Sequence, residues 1–263
     1  MIHPSKRIGS VQRAIDILDL FSSACPELGT SEIARRLGLH KSTAASLMYT
    51  LEANGYLAQD PQSRKYRLGM QLLNRSAVVL NHLDIRRAAL PYVEALRAEF
   101  DETVNLGVPD GSQIIYIERQ LSSRPLGMRS EVGKRSLLHS TAMGKALLSC
   151  WPLEQVAAFI ERYGLPALTA HTIGEPDVLF RALAETRALG YGFDDEENEE
   201  GGRCVAAAIF DHQGRPAAAI SLSVPTLRLP YDRVPQLGRR VAAVADAISR
   251  NLGYVPAPVT VEA

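Results

Sequence analysis

The sequence has few of the features that define several large classes of protein. Its three cysteines, Cys25, Cys150 and Cys204, are far apart and form neither a C-x-x-C pair nor a zinc-finger spacing. Reduced, packed thiols are therefore expected, without a disulfide framework or a metal site. The apolar runs are far shorter than the roughly 20 residues that span a bilayer, and the first residues lack the apolar core of a signal peptide. These absences predict a cytoplasmic protein with no membrane partner.

Motifs of common enzymes and cofactor sites are also missing. No G-x-S-x-G, H-E-x-x-H or G-x-G-x-x-G occurs, and Gly144-Lys145 lacks the flanking residues of a phosphate loop. His139 and Ser140 are adjacent, but no pattern brings them together with a carboxylate such as Asp194. We therefore predict that the protein is not an enzyme and has no catalytic residue, no cofactor and no bound metal.

The chain does contain enough apolar residues for packed cores, and its charge is unevenly distributed. Hydrophobic residues make up 46% of the sequence, which is sufficient for one large domain or two smaller ones. The formal net charge is zero, yet residues 1–80 carry +4 and residues 81–263 carry −4. A basic module joined to an acidic one suggests that only the first module meets a polyanion.

Three helices and a hairpin are predicted over residues 8–69. Ser10 can cap the first helix, Thr30 or Ser31 can cap the second, and Gly38 permits a sharp turn into the third. The hairpin pairs residues 56–59 with residues 65–68 around the turn-forming "DPQS". The apolar face of the first helix is predicted to comprise Val11, Ala14, Ile15, Leu18 and Phe21.

The third helix has an apolar face and a hydroxyl-rich face. The inward face is predicted at helical spacing: Ala44, Leu47, Met48 and Leu51. A helix pair with this outer face, followed by a basic hairpin, is typical of a winged helix-turn-helix that binds DNA. A small three-helix bundle with a polar face is the alternative. The residues predicted to contact DNA are Arg13, Ser31, Arg36, His40, Lys41, Ser42, Thr43, Ser46, Tyr49, Arg64, Lys65 and Arg67.

Residues 70–83 are predicted to form a connecting helix that packs on a second subunit, because they are too apolar for a free linker. Residues 84–255 then alternate helices with strand pairs, with turns expected at Pro109-Asp110-Gly111 and at residues 212–214. Ser140 or Thr141 can cap one of these helices. This order predicts an α+β domain with a mainly antiparallel sheet, and residues 256–263 are expected to be a flexible tail.

The acidic run "DDEENEEGG", residues 194–202, has two interpretations. It is either a solvated turn or part of a ligand site, and it lacks the ligand spacing of an EF-hand loop. Because it leads directly into an apolar strand that contains Cys204, we favour the mouth of a pocket for a small organic ligand.

Several motifs in order resemble the IclR family of bacterial transcriptional regulators, over about residues 9–253. They are "SVQRAIDIL", "SEIARRLGLHKST", "LEANGYL", "KYRLG", "ETVNLGV", "VGKRSLLHSTAMGKALL", "EENEEGGRCVAA" and "AAISLSVP". The resemblance implies a winged helix-turn-helix, a dimerising linker helix and a GAF-like effector-binding domain. It also implies homodimers that pair into homotetramers on palindromic double-stranded DNA operators and respond to small metabolites, often organic acids.

The resemblance also implies a set of ligand-binding residues. Ser221 and Ser223, which share one strand face, would hold a carboxylate, while Asp194 and Cys204 would narrow the far side of the pocket. A small aromatic or short-chain organic acid would suit such a lining. The complete implied set is Met128, Leu138, Ala142, Met143, Asp194, Cys204, Ser221 and Ser223.

Two positions depart from the family pattern. Ser46 stands where the family usually has an outward-facing arginine, and Ala208 stands where it often has proline. The sequence therefore predicts a ligand-responsive DNA-binding regulator, repressor or activator, with an altered operator preference. Two alternatives stay open: a metabolite-sensing or enzymatic domain whose N-terminal module binds protein, and an architectural DNA-binding protein without a ligand.

Overall fold

The computed structural model describes residues 8–22, 24–81, 84–125 and 131–255. The predicted tail, residues 256–263, and the predicted ligand-binding residue Met128 lie outside the described residues. The chain divides into two compact units, Met1–His82 and Leu83–Ala263. None of the helices in the described ranges is both long enough and apolar enough to cross a membrane.

The first unit contains the predicted three helices, hairpin and connecting helix. Its strands pair antiparallel, with Ala58 opposite Arg67. Its elements are α1 (Gly9–Asp19), α2 (Thr30–Arg36), α3 (Lys41–Ala53), β1 (Leu57–Gln59), β2 (Tyr66–Leu68) and α4 (Met70–Asn81).

The core of the first unit confirms the predicted inner face of α3. Ala44 and Met48 are fully buried, and Leu47 and Leu51 pack against the same cluster. Gly38 turns the chain between α2 and α3 with a φ of 63°, a left-handed conformation that suits glycine. The buried members of this core are Ile17, Phe21, Leu28, Ile33, Met48, Leu57 and Tyr66.

The predictions for the start of the first two helices were partly wrong. Helix α1 begins at Gly9, and its N-cap, Ile8, makes no side-chain capping bond, so Ser10 lies inside the first turn. The N-cap of α2 is Gly29, so neither Thr30 nor Ser31 caps it.

The predicted apolar face of α1 is only partly buried. Val11 and Ile15 are 54% and 46% exposed, because the buried side of the helix is centred on Ile17. The apolar residues of α1 therefore extend around more of the helix surface than the core of the first unit covers.

The second unit is an α+β fold around one six-stranded sheet, as predicted. The strand order is β5-β4-β3-β8-β7-β6, and every neighbouring pair is antiparallel. Strands β5 and β6 were not predicted. The elements are α5 (Asp84–Phe100), β3 (Thr103–Asp110), β4 (Gln113–Gln120), β5 (Arg135–Leu137), α6 (Ala142–Leu148), α7 (Leu153–Tyr163), α8 (Pro176–Leu189), β6 (Gly192–Asp195), β7 (Gly202–Phe210), β8 (Pro216–Pro225), 3₁₀ turns at Thr226–Arg228 and Tyr231–Arg233, and α9 (Val234–Asn251).

Helices cover both faces of this sheet. Helices α5 and α9 pack on one face, and α6 packs on β7 and β8 from the other, with α8 behind it. Ala219, Ser221 and Ser223 share the α6 side because side chains alternate along a strand. Of the two caps predicted for α6, Ser140 and Thr141, the structure has Thr141. Its side chain accepts a hydrogen bond from Gly144 N at 3.0 Å.

One predicted turn of the second unit differs from the structure, and one of the two interpretations of the acidic run is ruled out. Pro109 and Asp110 still belong to β3, and the turn lies at Gly111-Ser112. The pairing of β3 with β8 ends at Gly107, two residues before Pro109. Proline is tolerated at this position because its missing backbone N–H removes no hydrogen bond to β8. The acidic run is not a fully solvated turn, because Asp194 lies in β6 and is buried.

Candidate functional site

Helix α3 presents a polar face at the surface of the first unit. Its N-cap residue His40 is exposed, no side chain of the described residues caps it, and Tyr49 is 71% exposed. The free N–H groups of the first turn can therefore bind an anion such as a phosphate. Of the predicted contact residues in this region, Thr43 is half-buried and the others are exposed: His40, Lys41, Ser42, Ser46 and Tyr49.

The predicted contacts on α1 and α2 are exposed but not equivalent. Arg13 and Ser31 are exposed. Arg36 is bound within its own helix, where Nη2 donates to Glu32 Oε1 at 2.6 Å. This hydrogen bond raises the pKa of the Arg36 guanidinium. A phosphate would have to compete with Glu32 for Arg36.

The hairpin carries three exposed cations on a well-defined backbone. Asp60 Oδ1 accepts hydrogen bonds from Ser63 N at 2.6 Å and Gln62 N at 3.1 Å, which lowers the pKa of Asp60. Arg64 adopts a left-handed conformation, φ 57°, and its N–H donates to Asp60 O. Lys65 and Arg67 lie on the outer side of the hairpin, while Tyr66 between them is buried. The cluster is thus presented to a polyanion.

An inner cavity in the second unit brings together most of the predicted ligand-binding residues. Its volume is about 20 Å³, roughly the space for one water molecule. The cavity is lined by Tyr116, Thr141, Ala142, Met143, Asp194, Asn198, Cys204, Ser221 and Ser223. Leu138 is fully buried in the adjacent core, and it is not among the described residues that line the cavity.

Hydrogen bonds connect the sheet wall of the inner cavity. Asn105 Nδ2 donates to Ser223 Oγ at 3.1 Å and to Ser221 Oγ at 3.4 Å. Cys204 Sγ donates to Ser223 Oγ at 3.2 Å, and the two residues are register partners. Cys204 and its register partner Asp194 therefore lie in the same sheet wall as the serines, not on the far side as predicted. The two serines share one face, as the two-residue period predicted.

Asp194 sits at the junction between the cavity and the acidic run. Its Oδ1 accepts hydrogen bonds from Glu197 N at 2.8 Å and Asn198 N at 3.3 Å. Burial raises the pKa of Asp194 to about 7, although the nearby charge of Lys145 opposes the shift. At neutral pH this carboxyl group is therefore partly protonated.

Two further cavity groups are uncharged at neutral pH. Burial raises the pKa of the Cys204 thiol, with a further contribution from Asp194. Burial also raises the pKa of Tyr116 to about 12. The lining is consequently rich in neutral hydrogen-bonding groups, which suits a small polar ligand more than it suits catalysis.

His139 and Ser140 do not form a catalytic arrangement. His139 Nε2 lies 3.2 Å from Pro166 O, and burial lowers the pKa of the imidazole. Within the described residues, no hydrogen bond joins His139 to Ser140 or to Asp194.

Besides Thr141, which was predicted only as a helix cap, three lining or supporting residues were missed at the level of sequence. Asn105 is a polar residue within the otherwise apolar stretch "TVNLGV", and that interruption is a signal from which its role could have been predicted. Tyr116 and Asn198 had no such signal, because their approach to the serines depends on strand order.

Two sequence families match the chain. The IclR helix-turn-helix domain matches residues 10–61, and the bacterial transcriptional regulator IclR C-terminal domain matches residues 77–250. The chain is 38% identical over 247 residues to the HTH-type transcriptional regulator XynR of Escherichia coli K12, covering 94% of this chain and 98% of that protein. It is 36% identical over 247 residues to KdgR of Dickeya chrysanthemi, covering 94% and 81%.

Solved structures resemble the chain over nearly its full length. The IclR structure of Thermotoga maritima has a TM-score of 0.80 at 31% identity and covers 94% of this chain and 100% of that one. An IclR homologue from Microbacterium hydrocarbonoxydans, solved in complex with 4-hydroxybenzoate, has a TM-score of 0.79 at 25% identity and covers 92% and 99%.

Proposed function

This chain belongs to the IclR family of bacterial transcriptional regulators, and from that premise we propose that it binds a palindromic operator and senses a small organic acid. It is a transcriptional regulator with a DNA-binding helix-turn-helix and a C-terminal ligand-binding domain, and it is not an enzyme. We place it in the cytoplasm with the DNA that it regulates.

The observation that carries the DNA-binding proposal is the pairing of an exposed polar face on α3 with a hairpin of three exposed cations. Helix α3 enters the major groove, and Arg64, Lys65 and Arg67 contact the phosphate backbone beside it. Ser46 and Tyr49 offer hydroxyl groups to base edges, and no arginine stands at position 46 to bind guanine. Much of the affinity then comes from phosphates.

The effector proposal rests on the neutral, hydroxyl-rich inner cavity. The Ser221 and Ser223 hydroxyl groups and the Asn105 amide can donate to a carboxylate, while Met143 supplies an apolar wall. The 4-hydroxybenzoate bound to one homologue supports an aromatic organic acid. A cavity of about 20 Å³ must expand to admit such a ligand, so binding favours a rearranged state of the second unit.

We propose a homodimer that pairs into a homotetramer, with residues 8–69 as the DNA-binding domain, 70–83 as the dimerising linker and 84–255 as the effector domain. Exposed apolar side chains on α4 support this assignment, because a second copy of the chain would bury them. Leu83 of the linker lies outside the described residues. The exposed residues are Met70, Leu73, Val78 and Val79, at 73%, 60%, 53% and 61%.

Effector and operator are linked through the arrangement of the paired DNA-binding domains. The effector favours one arrangement, and the half-site spacing of the operator favours one as well. If the two favour the same arrangement, the effector strengthens DNA binding. If they favour different arrangements, it releases the protein from DNA.

The direct test is a mobility shift with the DNA upstream of the protein's own coding sequence, at several salt concentrations. Lys65→Ala should weaken binding to all sequences and reduce the salt slope by about one unit, because one phosphate contact is lost. Arg181→Ala, at an exposed cation of the second unit, is the control and should leave the slope unchanged. An unchanged slope for Lys65→Ala removes Lys65 from the interface.

Absence of any shift at low salt would favour a protein-binding N-terminal module instead. Thermal denaturation with a panel of small carboxylic acids tests the effector proposal separately. A ligand at 100 times its dissociation constant stabilises by about 2.7 kcal/mol. No stabilisation by any acid would favour an architectural DNA-binding protein.

A further inference from the structure

The second unit contains an outer cleft that is distinct from the inner cavity. It has a volume of about 510 Å³ and is bounded by residues of α6, α8, β6 and α9. Among the described residues, the two sites share no lining residue. The volume lies within the range of about 300–1,000 Å³ that is typical of small-molecule sites. Its apolar walls are formed by Ile173, Ala182, Leu189, Phe193, Val234 and Pro235.

An unusual ion pair lines this cleft. Lys145 and Glu197 are only 3% and 7% exposed, and Lys145 Nζ donates to Glu197 Oε1. The second carboxylate oxygen, Glu197 Oε2, is buried and has no hydrogen-bond partner among the described residues. A buried acceptor without a donor is costly and rare in native proteins. Glu197 lines the outer cleft, so a small movement of its side chain would bring this acceptor within reach of a ligand there.

The chemistry of the pair selects among ligand classes. The charged residues that line the cleft are Lys145, Arg239, Glu185 and Glu197, whose charges cancel, so the cleft has no net charge to attract an anion or a cation. A hydroxyl group can donate to Glu197 Oε2 and accept from Lys145 Nζ at the same time. We propose that the outer cleft is a second ligand site, which takes a neutral small molecule with a hydroxyl group on an apolar body.

The wall at one side of the cleft is held in place by polar contacts. Tyr231 OH donates to Asp195 Oδ2 at 2.7 Å, and the Arg203 guanidinium lies 3.9 Å from the centre of the Tyr231 ring. Arg203 Nε also donates to Asp195 Oδ1 at 2.6 Å. This arrangement orders one side of the site before a ligand binds, which reduces the entropic cost of binding.

The outer cleft is physically connected to the inner cavity. Glu197 N donates to Asp194 Oδ1 at 2.8 Å, and Asp194 lines the inner cavity. Lys145 belongs to α6, the helix that contributes Ala142 and Met143 to the inner cavity. A ligand on Glu197 therefore contacts a segment that shapes both sites, and it can alter the affinity of the inner cavity.

The test uses the full chain with labelled isoleucine, leucine and valine methyl groups and four probes that differ in one substituent. Benzyl alcohol should cause saturable NMR shifts at Ile173, Leu189 and Val234. Toluene and benzylamine should bind there about tenfold more weakly, since they cannot satisfy both partners of the pair. Benzoate should not shift the methyl signals of these three residues. Equal binding of toluene and benzyl alcohol would overturn the proposal.

Two matched variants locate the binding. Ala182→Phe fills the outer cleft and should abolish the benzyl alcohol shifts, whereas Ala184→Phe, at an exposed position of the same helix, should leave them unchanged. Undiminished binding to a folded Ala182→Phe protein would refute the site. If that variant does not fold, the four-probe series on the unaltered chain decides the question by itself. Neither outcome depends on DNA binding or on organic acid binding.

Discussion

Replacing Asp194 with asparagine should make the second unit less sensitive to alkaline pH. The native carboxyl group keeps its proton up to a pKa of about 7, whereas the unfolded chain releases it near 3.8. Between these values the native state binds more protons than the unfolded state. The free energy of unfolding therefore falls as the pH rises through this window, and the loss is complete above pH 7.

The size of the effect follows from the two pKa values. Between pH 5 and pH 8, they correspond to a decrease of about 2.6 kcal/mol in the free energy of unfolding of the unaltered protein. The variant with asparagine does not lose this contribution, because its side chain does not ionise. Asparagine retains the Oδ1 acceptor for the N–H groups of Glu197 and Asn198. The stability of Asp194→Asn relative to the unaltered protein should thus improve by about that amount from pH 5 to pH 8.

Urea denaturation followed by the fluorescence of Trp151, the single tryptophan, reports on the second unit. Asp195→Asn is the matched control. Burial raises the pKa of Asp195, but hydrogen bonds from Tyr231 and Arg203 outweigh it and lower the pKa overall. Its substitution should therefore cost a similar amount at pH 5 and at pH 8. A difference for Asp194→Asn below about 0.5 kcal/mol, or of opposite sign, would refute the assignment of a raised pKa.

Three further predictions concern DNA reading, effector binding and packing. Ser46→Arg should raise affinity for operators with guanine at the facing position by about 1–3 kcal/mol, measured by competition mobility shifts against the same site without guanine. If only the protonated form of Asp194 admits an organic acid, benzoate should bind about tenfold more tightly at pH 6 than at pH 8 by calorimetry. Asp194→Asn should remove that dependence, and its persistence would contradict the role. Gly144→Ala should lower the free energy of unfolding of the second unit by about 1–3 kcal/mol, since the added Cβ would lie 2.0 Å from Leu138 O. Unchanged urea denaturation would contradict this packing.

The coupling between DNA and effector depends on how the second unit accommodates a ligand. The inner cavity is closed to about 20 Å³, and its wall of Ser221, Ser223, Cys204 and Asn105 is already hydrogen-bonded. A ligand must replace these internal bonds with its own. This exchange gives the two states of the domain different ligand affinities, which a population shift requires.

Helix α3 and the hairpin could be predicted from the sequence because their determinants are local. The spacing of Ala44, Leu47, Met48 and Leu51 defines the inner face of a helix whatever it packs against, and the turn residues define the hairpin. The part of the apolar face of α1 that is buried could not be predicted, for a related reason. Periodicity shows which residues are apolar, but only the packed structure shows that Ile17 is covered while Val11 and Ile15 are not.

The sequence by itself therefore determined the two-part organisation, the polar face of α3, the basic hairpin and the shared face of Ser221 and Ser223. Tertiary structure alone decided what surrounds those serines, because the strand order places Asn105 beside Ser221 and Ser223, more than a hundred residues away in sequence. It also decided the charge state of the site. Burial raises the pKa of Asp194, and the nearby charge of Lys145 opposes that rise. Both effects depend on contacts between distant segments that no local pattern encodes.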